Sequence, residues 1–354
     1  MLRARYHKHT LHFRQVAGTS RGVLHSRESF FLLVSDADNP AITGIGECGI
    51  IPGLSFDDRP DFELALEELC RLIENGKFPE KEWLNYWPSI AFAIATAIID
   101  LKTGGRRLLF ESKFTSGESP IAINGLVWMG DPGFMLQQIE EKISEGFSVI
   151  KMKVGAIGFE EELALIRHIR MNYPAESIEI RIDANGAFQF VDVFKKLEQL
   201  AAYSIHSIEQ PIKAGNPQMM AEICRYSPIP VALDEELIGI IHNDDKKRLL
   251  DIILPQFIIL KPSLLGGFEN SQQWINLAEE RGAAWWVTSA LESNIGLNAI
   301  AQWTATLNNP LPQGLGTGSL YSNNIPSPLL VENGFLHYKP ETPWQLELTG
   351  LNQD

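Results

Sequence analysis

Apolar and polar residues alternate in the first part of the chain, and a helical spacing follows. Between Leu11 and Cys48, the segments LHFRQV, ESFFLLVS and ITGIGEC have the residue types and alternation of strands, with Gly, Ser, Asp, Asn and Pro between them. Between Asp61 and Leu109, apolar residues recur three and four positions apart, as in FELALEELCRLIE. We therefore predict an α+β domain over residues 1–115.

Short apolar runs alternate with amphipathic helices through the rest of the chain. Eight runs have the composition of strands: PIAIN, SVIKMKV, IEIRID, SIHSIEQ, PVALD, FIILK, AWWVT and GLGTG. Their ends recur roughly every 25 to 31 residues, which suits one strand, one helix and two loops. This α/β pattern predicts a closed barrel of parallel strands over residues 116–325. LLVENGFLHY and WQLELT predict further strands in residues 326–354, which we expect to return to the first domain.

The charge and the cysteines exclude several classes of partner and site. Thirty basic against 44 acidic residues give a net charge of −14, so neither nucleic acid nor an anionic membrane surface is an expected partner. Cys48, Cys70 and Cys224 have no spacing typical of a disulfide framework or a zinc site. The first residues lack the apolar core of a secretory signal, so we expect a cytoplasmic protein. Whether the chain forms a homo-oligomer stays open.

Charged residues occupy the last positions of the predicted barrel strands. Because the carboxyl ends of parallel barrel strands share one face, these side chains are expected to meet at the barrel mouth. The residues concerned are Lys151, Lys153, Asp183, Glu209, Asp234 and Lys261. Charges at the ends of apolar strands need a partner or a metal ion when they are buried. The sequence therefore places an active site for a small molecule at this face.

The three acidic residues predict a magnesium site. Asp183, Glu209 and Asp234 follow successive strands and offer only hard oxygen ligands, which favour Mg²⁺, with Mn²⁺ as a substitute. His206 lies three positions before Glu209 and is expected to face the other side of its strand. Zinc therefore has no evident nitrogen or sulfur ligand here.

The lysines predict proton transfer next to a carboxylate. Lys151 and Lys153 are two positions apart on one strand and point the same way. We expect the crowding of two ammonium groups and a nearby divalent cation to lower their pKa values, which leaves one amine able to accept a proton. Lys261 is expected to approach from the opposite side of the barrel. A metal ion and lysines together suit the charge of an enediolate.

Five motifs in order resemble those of the enolase superfamily. They are KMKVG, RIDANGAF, IEQP, ALDEEL and ILKPSLLGG, and the similarity is to the muconate-lactonizing subgroup, over almost the whole chain. The resemblance implies a modified (β/α)7β TIM-type barrel with an α+β N-terminal capping domain. It also implies Asp183, Glu209 and Asp234 as Mg²⁺ ligands and Lys153 as general base and acid. Lys261 resembles the lysine that stabilises the anionic intermediate.

The resemblance gives the remaining polar residues supporting roles. Lys151 is similar to the lysine that tunes Lys153 and touches the substrate carboxylate. Asn185 and Glu235 resemble groups that hydrogen-bond to the metal ligands. Arg181 shares the face of Asp183 and is either an ion-pair partner inside the barrel, which we favour, or a substrate contact. Ser289 either contacts substrate or ends its strand.

The subgroup contains several reactions with the same acid-base residues. Dipeptide epimerases typically carry Asp-x-Asp at the last strand, whereas this chain has GLGTGSLYSNN. That glycine-rich ending and SALES before it are similar to o-succinylbenzoate synthases, which implies a carbon-oxygen lyase reaction on the route to menaquinone. N-Succinylamino acid racemase and dipeptide epimerase activities are the alternatives. A non-catalytic barrel that binds a carboxylate is an alternative of another class.

Two features leave questions for the structure. EQP and DEEL replace the more usual EEP or EDP and DES, so hydrogen bonding near the metal is expected to differ. Capping-domain loops around Ala17 to Arg21 and Ile50 to Ser55 are expected to close the site.

Overall fold

The N-terminal part of the molecule is a three-stranded antiparallel sheet covered by helices. The computed structural model describes residues 1–19 and 22–346. The sheet has the order β1 (Leu2–Thr19), β2 (Gly22–Asp36) and β3 (Asn39–Gly49), followed by α1 (Phe62–Glu74), α2 (Lys81–Asn85) and α3 (Pro88–Lys102). A Cβ atom on Gly46 would lie 1.9 Å from the Ala93 carbonyl oxygen, so this glycine lets α3 cross β3 closely.

Seven parallel strands form the main sheet, after a two-residue strand, β4 (Ile121–Ala122). In spatial order they run β5 (Gly125–Val127), β6 (Val149–Lys153), β7 (Glu179–Asp183), β8 (Ile205–Glu209), β9 (Val231–Leu233), β10 (Phe257–Leu260) and β11 (Ala284–Val287). The helices between and after them are α4 (Pro132–Ser144), α5 (Phe159–Asn172), α6 (Val193–Ala201), α7 (Pro217–Tyr226), α8 (Asn243–Ile253), α9 (Pro262–Leu265), α10 (Phe268–Glu279) and α11 (Asn294–Thr306). The predicted α/β class is confirmed.

Backbone hydrogen bonds around Gln313 and Gly314 connect the two edges of this sheet. Gly314 N–H donates to the Val287 carbonyl at 2.8 Å, and Asn124 N–H donates to the Gln313 carbonyl at 3.0 Å. The predicted eighth strand, GLGTG, is thus reduced to isolated bridges before a 3₁₀ helix, Thr317–Ser319. Its three glycines offer no side chains to pack on a sheet, which explains why no regular strand forms.

The first predicted barrel strand was placed slightly too early. Within PIAIN, Ile121–Ala122 form β4, which pairs with the C-terminal hairpin, and the barrel strand β5 begins at Gly125. Two short extended pieces follow each other here, and apolar alternation alone does not reveal which sheet each one joins.

The C-terminal segment contributes a hairpin of β12 (Leu329–Glu332) and β13 (Phe335–Tyr338). Farther on, Trp344 and Leu346 pack against a cluster that contains Phe31, Leu33 and Ile45 of the N-terminal sheet. Of the predicted strand WQLELT, residues 344–346 are irregular and the remainder lies outside the described residues. The proposed boundaries at 115 and 325 stay predictions.

Alternation along the barrel strands separates the core from the site. In β6, Ile150 and Met152 are buried in the apolar core beneath the helices, and Lys151 and Lys153 occupy the intervening positions. The main core thus holds the charged side chains in place from behind. Among the helices that the structure describes, none has the length and apolarity to cross a membrane.

Candidate active site

Neighbouring strands place the predicted site residues side by side at the carboxyl end of the sheet. Lys153 pairs in register with Asp183, Asp183 with Glu209, and Glu209 with Ala232, two residues before Asp234. Lys261 directly follows β10, which is separated from β6 by three strands. The structure therefore brings together acids on adjacent strands and lysines on two walls.

Each of the three carboxylates is paired with a lysine. Both Lys151 Nζ and Lys153 Nζ lie 3.0 Å from Asp183 Oδ2. Lys151 also contacts Glu209 Oε2, and Lys261 contacts Asp234 Oδ2. The acids are almost fully buried, at 1% to 2% exposure, so these charge-assisted contacts act with little solvent screening.

The pKa directions correct one expectation about the lysines. Burial by itself lowers the pKa of Lys151, but the carboxylates of Asp183 and Glu209 outweigh it and the pKa is raised. The pKa of Lys261 is also raised. Burial alone would lower it, but the negative charges of Asp234 and Glu235 stabilise the ammonium form and outweigh burial. For Lys151 this direction is opposite to the lowering expected from the crowding of Lys151 and Lys153, because that expectation left out the attraction of the buried acids.

The acids respond unequally to the same surroundings. Burial disfavours ionisation of Asp183, but Lys151 and Lys153 hold its pKa well below the usual range. Glu209 has a raised pKa because burial and the charges of Asp183 and Asp234 outweigh Lys151. Additional positive charge close to Glu209 would therefore relieve the crowding of the three acids.

The donor set fits a divalent cation at one specific atom. Glu209 Oε1 is buried and has no hydrogen-bond partner among the described residues. It belongs to a carboxylate crowded by two others, which is the environment that a hard cation with oxygen ligands stabilises. In the described part of the chain, no three His, Cys, Asp or Glu side chains already form a metal-binding group, and the lysines hold the acids instead.

Asn185 and Glu235 extend the cluster. Lys153 Nζ donates to Asn185 Oδ1 at 2.5 Å, and Asn185 Nδ2 donates to Glu235 Oε1 at 3.0 Å. Asn185 N–H also donates to Asp183 Oδ1 at 3.0 Å. Asn185 thus connects the Lys153 amine to Asp183 and to the turn that carries Asp234.

Arg181 lies away from this group, although it shares a strand face with Asp183. Its Nε donates to Glu179 Oε1 at 2.7 Å, its Nη1 donates to the Pro312 carbonyl at 2.8 Å, and the guanidinium stacks 4.4 Å from the Trp286 ring centroid. Arg181 is absent from the residues that line the cavity at the mouth. Of the two sequence-based readings, the geometry matches the ion-pair partner inside the barrel.

A cavity of about 430 Å³ lies over the lysines and acids. The wall opposite the acids carries Ser289, whose hydroxyl lies 2.6 Å from Thr317 Oγ1, together with Gly314 and Gly316. Ile51, Pro52 and Leu54 line the cavity from the N-terminal part of the chain. In the other predicted loop, around Ala17 to Arg21, Ala17–Thr19 end β1, and Ser20 and Arg21 lie outside the described residues.

Sequence reasoning missed Asn124. This residue lies between β4 and β5 in the chain, is 5% exposed and lines the cavity. Its Oδ1 has no hydrogen-bond partner among the described residues. The sequence signal was present, because Asn124 ends PIAIN as the charged residues end the other predicted strands.

Comparisons with known proteins agree with this geometry. A family model described as enolase C-terminal domain-like matches residues 135–343. An o-succinylbenzoate synthase of Desulfotalea psychrophila is 45% identical, over 94% of this chain and 97% of the relative. The chain belongs to the o-succinylbenzoate synthases of the enolase superfamily. The motif-based resemblance is thereby confirmed.

Solved structures of this superfamily have the same fold. The crystal structure of MenC from Desulfotalea psychrophila has a TM-score of 0.83 and 40% identity, and the match covers 95% of this chain and 99% of that one. A dipeptide epimerase from Cytophaga hutchinsonii, complexed with Mg and the dipeptide D-Ala-L-Val, has a TM-score of 0.81 and 21% identity, covering 98% and 96%. At that identity the epimerase shows the shared fold alone.

The structure explains how this o-succinylbenzoate synthase family member accommodates its departures from the usual motifs. Gln210, from EQP, accepts hydrogen bonds through Oε1 from the N–H groups of Asp234 and Glu236, both at 3.2 Å. Its Nε2 donates to Glu236 Oε2 at 3.0 Å. Gln210 and Glu236, the residue that stands where the usual DES motif has its serine, therefore form one buried pair that holds the turn around Asp234.

Proposed function

We propose that this enzyme is a hydro-lyase that converts 2-succinyl-6-hydroxy-2,4-cyclohexadiene-1-carboxylate to o-succinylbenzoate in menaquinone biosynthesis. The observation that carries the proposal is the placement of Lys153 and Lys261 on two walls of a cavity that Asp183 also lines and whose far wall is rich in glycine. The other two carboxylates, Glu209 and Asp234, are buried against Lys151 and Lys261. The lysines and the acids suit proton abstraction beside a carboxylate. The glycine-rich wall offers no acid that could bind the ammonium group of a dipeptide.

Lys153 is the proposed general base and acid. Its amine lies between Asp183 and Asn185, which fix its direction at the cavity edge. It removes the proton on the carbon that bears the substrate carboxylate, and the electron pair moves into an enediolate. The electrons then expel the hydroxyl group from the neighbouring carbon, on the same face, and Lys153 returns the proton so that water leaves and the ring becomes aromatic.

Lys261 and Lys151 stabilise the negative charge that develops. Lys261 faces the cavity from the β10 side, and its raised pKa keeps it cationic while the enediolate exists. Lys151 touches Asp183 and Glu209 and reaches the same cavity, so it can also contact the substrate carboxylate.

Asp183, Glu209 and Asp234 would hold Mg²⁺, with Mn²⁺ as a proposed substitute. Once Lys153 is protonated, three ammonium groups balance three carboxylates in the cluster. A bound divalent ion would supply Lewis-acid stabilisation and the two positive charges that match the two negative oxygens of the enediolate. The lysines therefore only offset the charge of the three carboxylates, and the charge of the enediolate is left for the metal ion to stabilise.

The wall formed by Ser289, Gly314, Gly316 and Thr317 is the proposed site for the succinyl chain. The hydroxyls of Ser289 and Thr317 on this wall can donate to a carboxylate without adding a further charge, whereas the N–H groups of Ser289 and Gly314 already donate to backbone carbonyls. A cytoplasmic location suits this proposed role.

The test follows the dehydration by absorbance, with and without Mg²⁺. We expect turnover that EDTA abolishes and Mg²⁺ restores, and that Lys153→Ala abolishes because no base remains. Lys247→Ala, an exposed lysine on α8, is the matched control and should keep wild-type activity.

Deuterium exchange separates the alternatives. Exchange of the α-proton of an N-succinylamino acid, without dehydration of the cyclohexadiene, would favour the racemase reading over the synthase. If Mg²⁺ binds but none of these compounds exchanges a proton, the protein is a carboxylate-binding barrel and the proposal is wrong.

A further inference from the structure

The segment Ser289–Ser293, which follows β11 and which we call the wall loop, is fastened from outside the barrel. Ser289, Ala290 and Leu291 line the cavity. Leu291 has φ of +64°, a left-handed conformation that is unfavourable for a residue with a Cβ unless its surroundings hold it. Tyr321 donates its hydroxyl hydrogen to the Leu291 carbonyl at 2.6 Å. The wall loop is therefore a shape imposed by its contacts.

Glu47 of β3 holds the end of the wall loop. Its carboxylate is fully buried and accepts hydrogen bonds from Ser293 N–H at 2.8 Å and from the Ser293 hydroxyl at 2.6 Å. It also accepts from Gly296 N–H at 2.8 Å and from the Ser29 hydroxyl of β2 at 2.6 Å. One side chain of the N-terminal sheet thus ties together the wall loop and the first turn of α11.

Arg27 of β2 holds the middle of the wall loop. It is 4% exposed, and its Nη1 donates to the Ala290 carbonyl at 2.6 Å. A Cβ atom on Gly49 would lie 1.9 Å from Arg27 Nη2, so the glycine at the end of β3 makes room for the guanidinium. Ala290 N–H donates to Glu292 Oε2 at 2.7 Å, which fixes the same peptide region from the barrel side.

Glu292 connects the wall loop to the lysine wall. Its other oxygen, Oε1, accepts the hydroxyl of Ser263, two residues after Lys261. Burial raises the pKa of Glu292, and the positive charge of the buried Arg27 opposes this rise. A displacement of Arg27 would therefore affect the wall loop, which faces the succinyl end of the substrate. Among the described residues, Lys153 and the three acids form no hydrogen bond or ion pair with Arg27.

The geometry points to Arg27 and Glu47 as positioning residues that set the wall loop for the succinyl end of the substrate. This inference rests on the proposed function for the identity of the ligand. The N-terminal sheet then contributes to substrate selection through contacts behind the cavity wall, in addition to the residues that line the cavity.

The experiment compares Arg27→Met with wild-type enzyme loaded with Mg²⁺. We expect KM to rise about 10-fold while kcat changes by less than about 3-fold, since the base and acids are untouched. Calorimetry should show about 10-fold weaker binding of o-succinylbenzoate, and benzoate, which lacks the succinyl chain, should bind as in wild type. Hydrogen exchange of the wall-loop amides should be faster.

Arg59→Met is the matched control. Arg59 lies in the same part of the chain, stacks 3.7 Å from the Trp87 ring centroid and pairs with Asp61; among the described residues, none of its hydrogen bonds or ion pairs reaches the wall loop. It should change neither ligand affinity nor wall-loop exchange. Arg27→Lys, which restores one donor, should recover part of the product affinity.

Glu47→Gln is the second variant, used if Arg27→Met does not fold. The glutamine amide nitrogen would replace one oxygen that accepts hydrogen bonds and would face N–H or hydroxyl donors, so one set of contacts to the wall loop is lost. Hydrogen exchange of the wall-loop amides should again be faster. Unchanged exchange and unchanged product affinity in the folded variants would overturn the inference. If the wild-type enzyme neither dehydrates the substrate nor binds the product, the proposed function fails, and wall-loop exchange still decides whether these residues position the loop.

Discussion

Two charged layers inside one barrel have opposite characters. The mouth cluster (Lys151, Lys153, Asp183, Glu209, Asp234 and Lys261) has cations and anions in equal number and borders a cavity. The floor cluster (Glu179, Arg181, His206 and Trp286) has an arginine paired with a glutamate, bonded to a carbonyl and stacked on a ring. Arg181 and Asp183 are only two residues apart on β7.

The layers differ in how the buried charge is compensated. In the floor cluster, Arg181 combines an ion pair, a backbone hydrogen bond and an aromatic contact, while its Nη2 has no hydrogen-bond partner among the described residues. In the mouth cluster, Glu209 keeps one buried oxygen without a partner, and its pKa is raised by burial and neighbouring acids. Charge that is compensated within the protein serves stability, whereas charge that awaits a cation and a substrate serves catalysis.

Lys261→Ala is the change with the largest expected effect. It removes a cation that faces the enediolate, so kcat should fall on the order of 10³-fold, the usual effect of losing one such stabilising group. Steady-state kinetics with saturating Mg²⁺ measures this, and circular dichroism checks the fold. A kcat within a few-fold of wild type would mean that the lysine serves only to pair with Asp234.

Arg181→Met should break the floor cluster without affecting catalysis. Glu179 is 30% exposed in its side chain, so losing its partner costs less than in a fully buried pair, and we expect about 2 kcal/mol of lost stability. Urea unfolding measures the loss. The kcat/KM of the folded fraction should stay at the wild-type value, and a drop in that value would move Arg181 into the catalytic layer.

The sequence alone predicted the mouth cluster because strand ends can be recognised locally. Each acid or lysine closes an apolar run, and the shared carboxyl face of parallel strands brings the runs together. The floor cluster was harder to assign, because Arg181 has the same strand face as Asp183. Only the partners of Arg181, Pro312 far along the chain and Trp286 on another strand, decide its role.

The elements that escaped prediction depend on long-range pairing. PIAIN and GLGTG have the appearance of strands, but β4 pairs with the C-terminal hairpin and Gly314 forms only bridges. Arg27 and Glu47 are ordinary strand residues until the wall loop, more than 240 positions away, is folded against them. No local pattern contains this information.

Lys246 sharpens the comparison, because this buried lysine forms no ion pair with a carboxylate among the described residues. Its amine hydrogen-bonds to Asn270 Oδ1 at 3.1 Å and Gln273 Oε1 at 2.9 Å, and burial lowers its pKa to about 8. The folded state therefore binds fewer protons than the unfolded state between pH 8 and 10.5. Its contribution to stability improves as pH rises through that window, and the penalty is fully present below it.

Lys246→Met should remove this pH dependence. The stability of the variant relative to wild type should decrease by about 2 kcal/mol between pH 7.5 and 9.5, measured by urea unfolding. Lys247→Met, on the exposed side of α8, is the control and should follow the wild-type profile. Parallel profiles for wild type and Lys246→Met would show that the amine keeps an ordinary pKa.

Asn124→Leu tests whether the charged residues of the mouth cluster alone determine the activity. Asn124 lines the cavity, its buried Oδ1 is a neutral acceptor without a partner among the described residues, and the substrate hydroxyl is a donor of the matching kind. Leucine has a similar volume and no acceptor, so we expect kcat/KM to fall about 10-fold, the usual value of one hydrogen bond to a reacting ligand. Asn124→Asp would restore an acceptor but add a fourth negative charge. If leucine lowers activity and aspartate lowers it further, both hydrogen bonding and charge balance matter; unchanged activity with leucine would leave the charged residues as the sole determinants of the mouth.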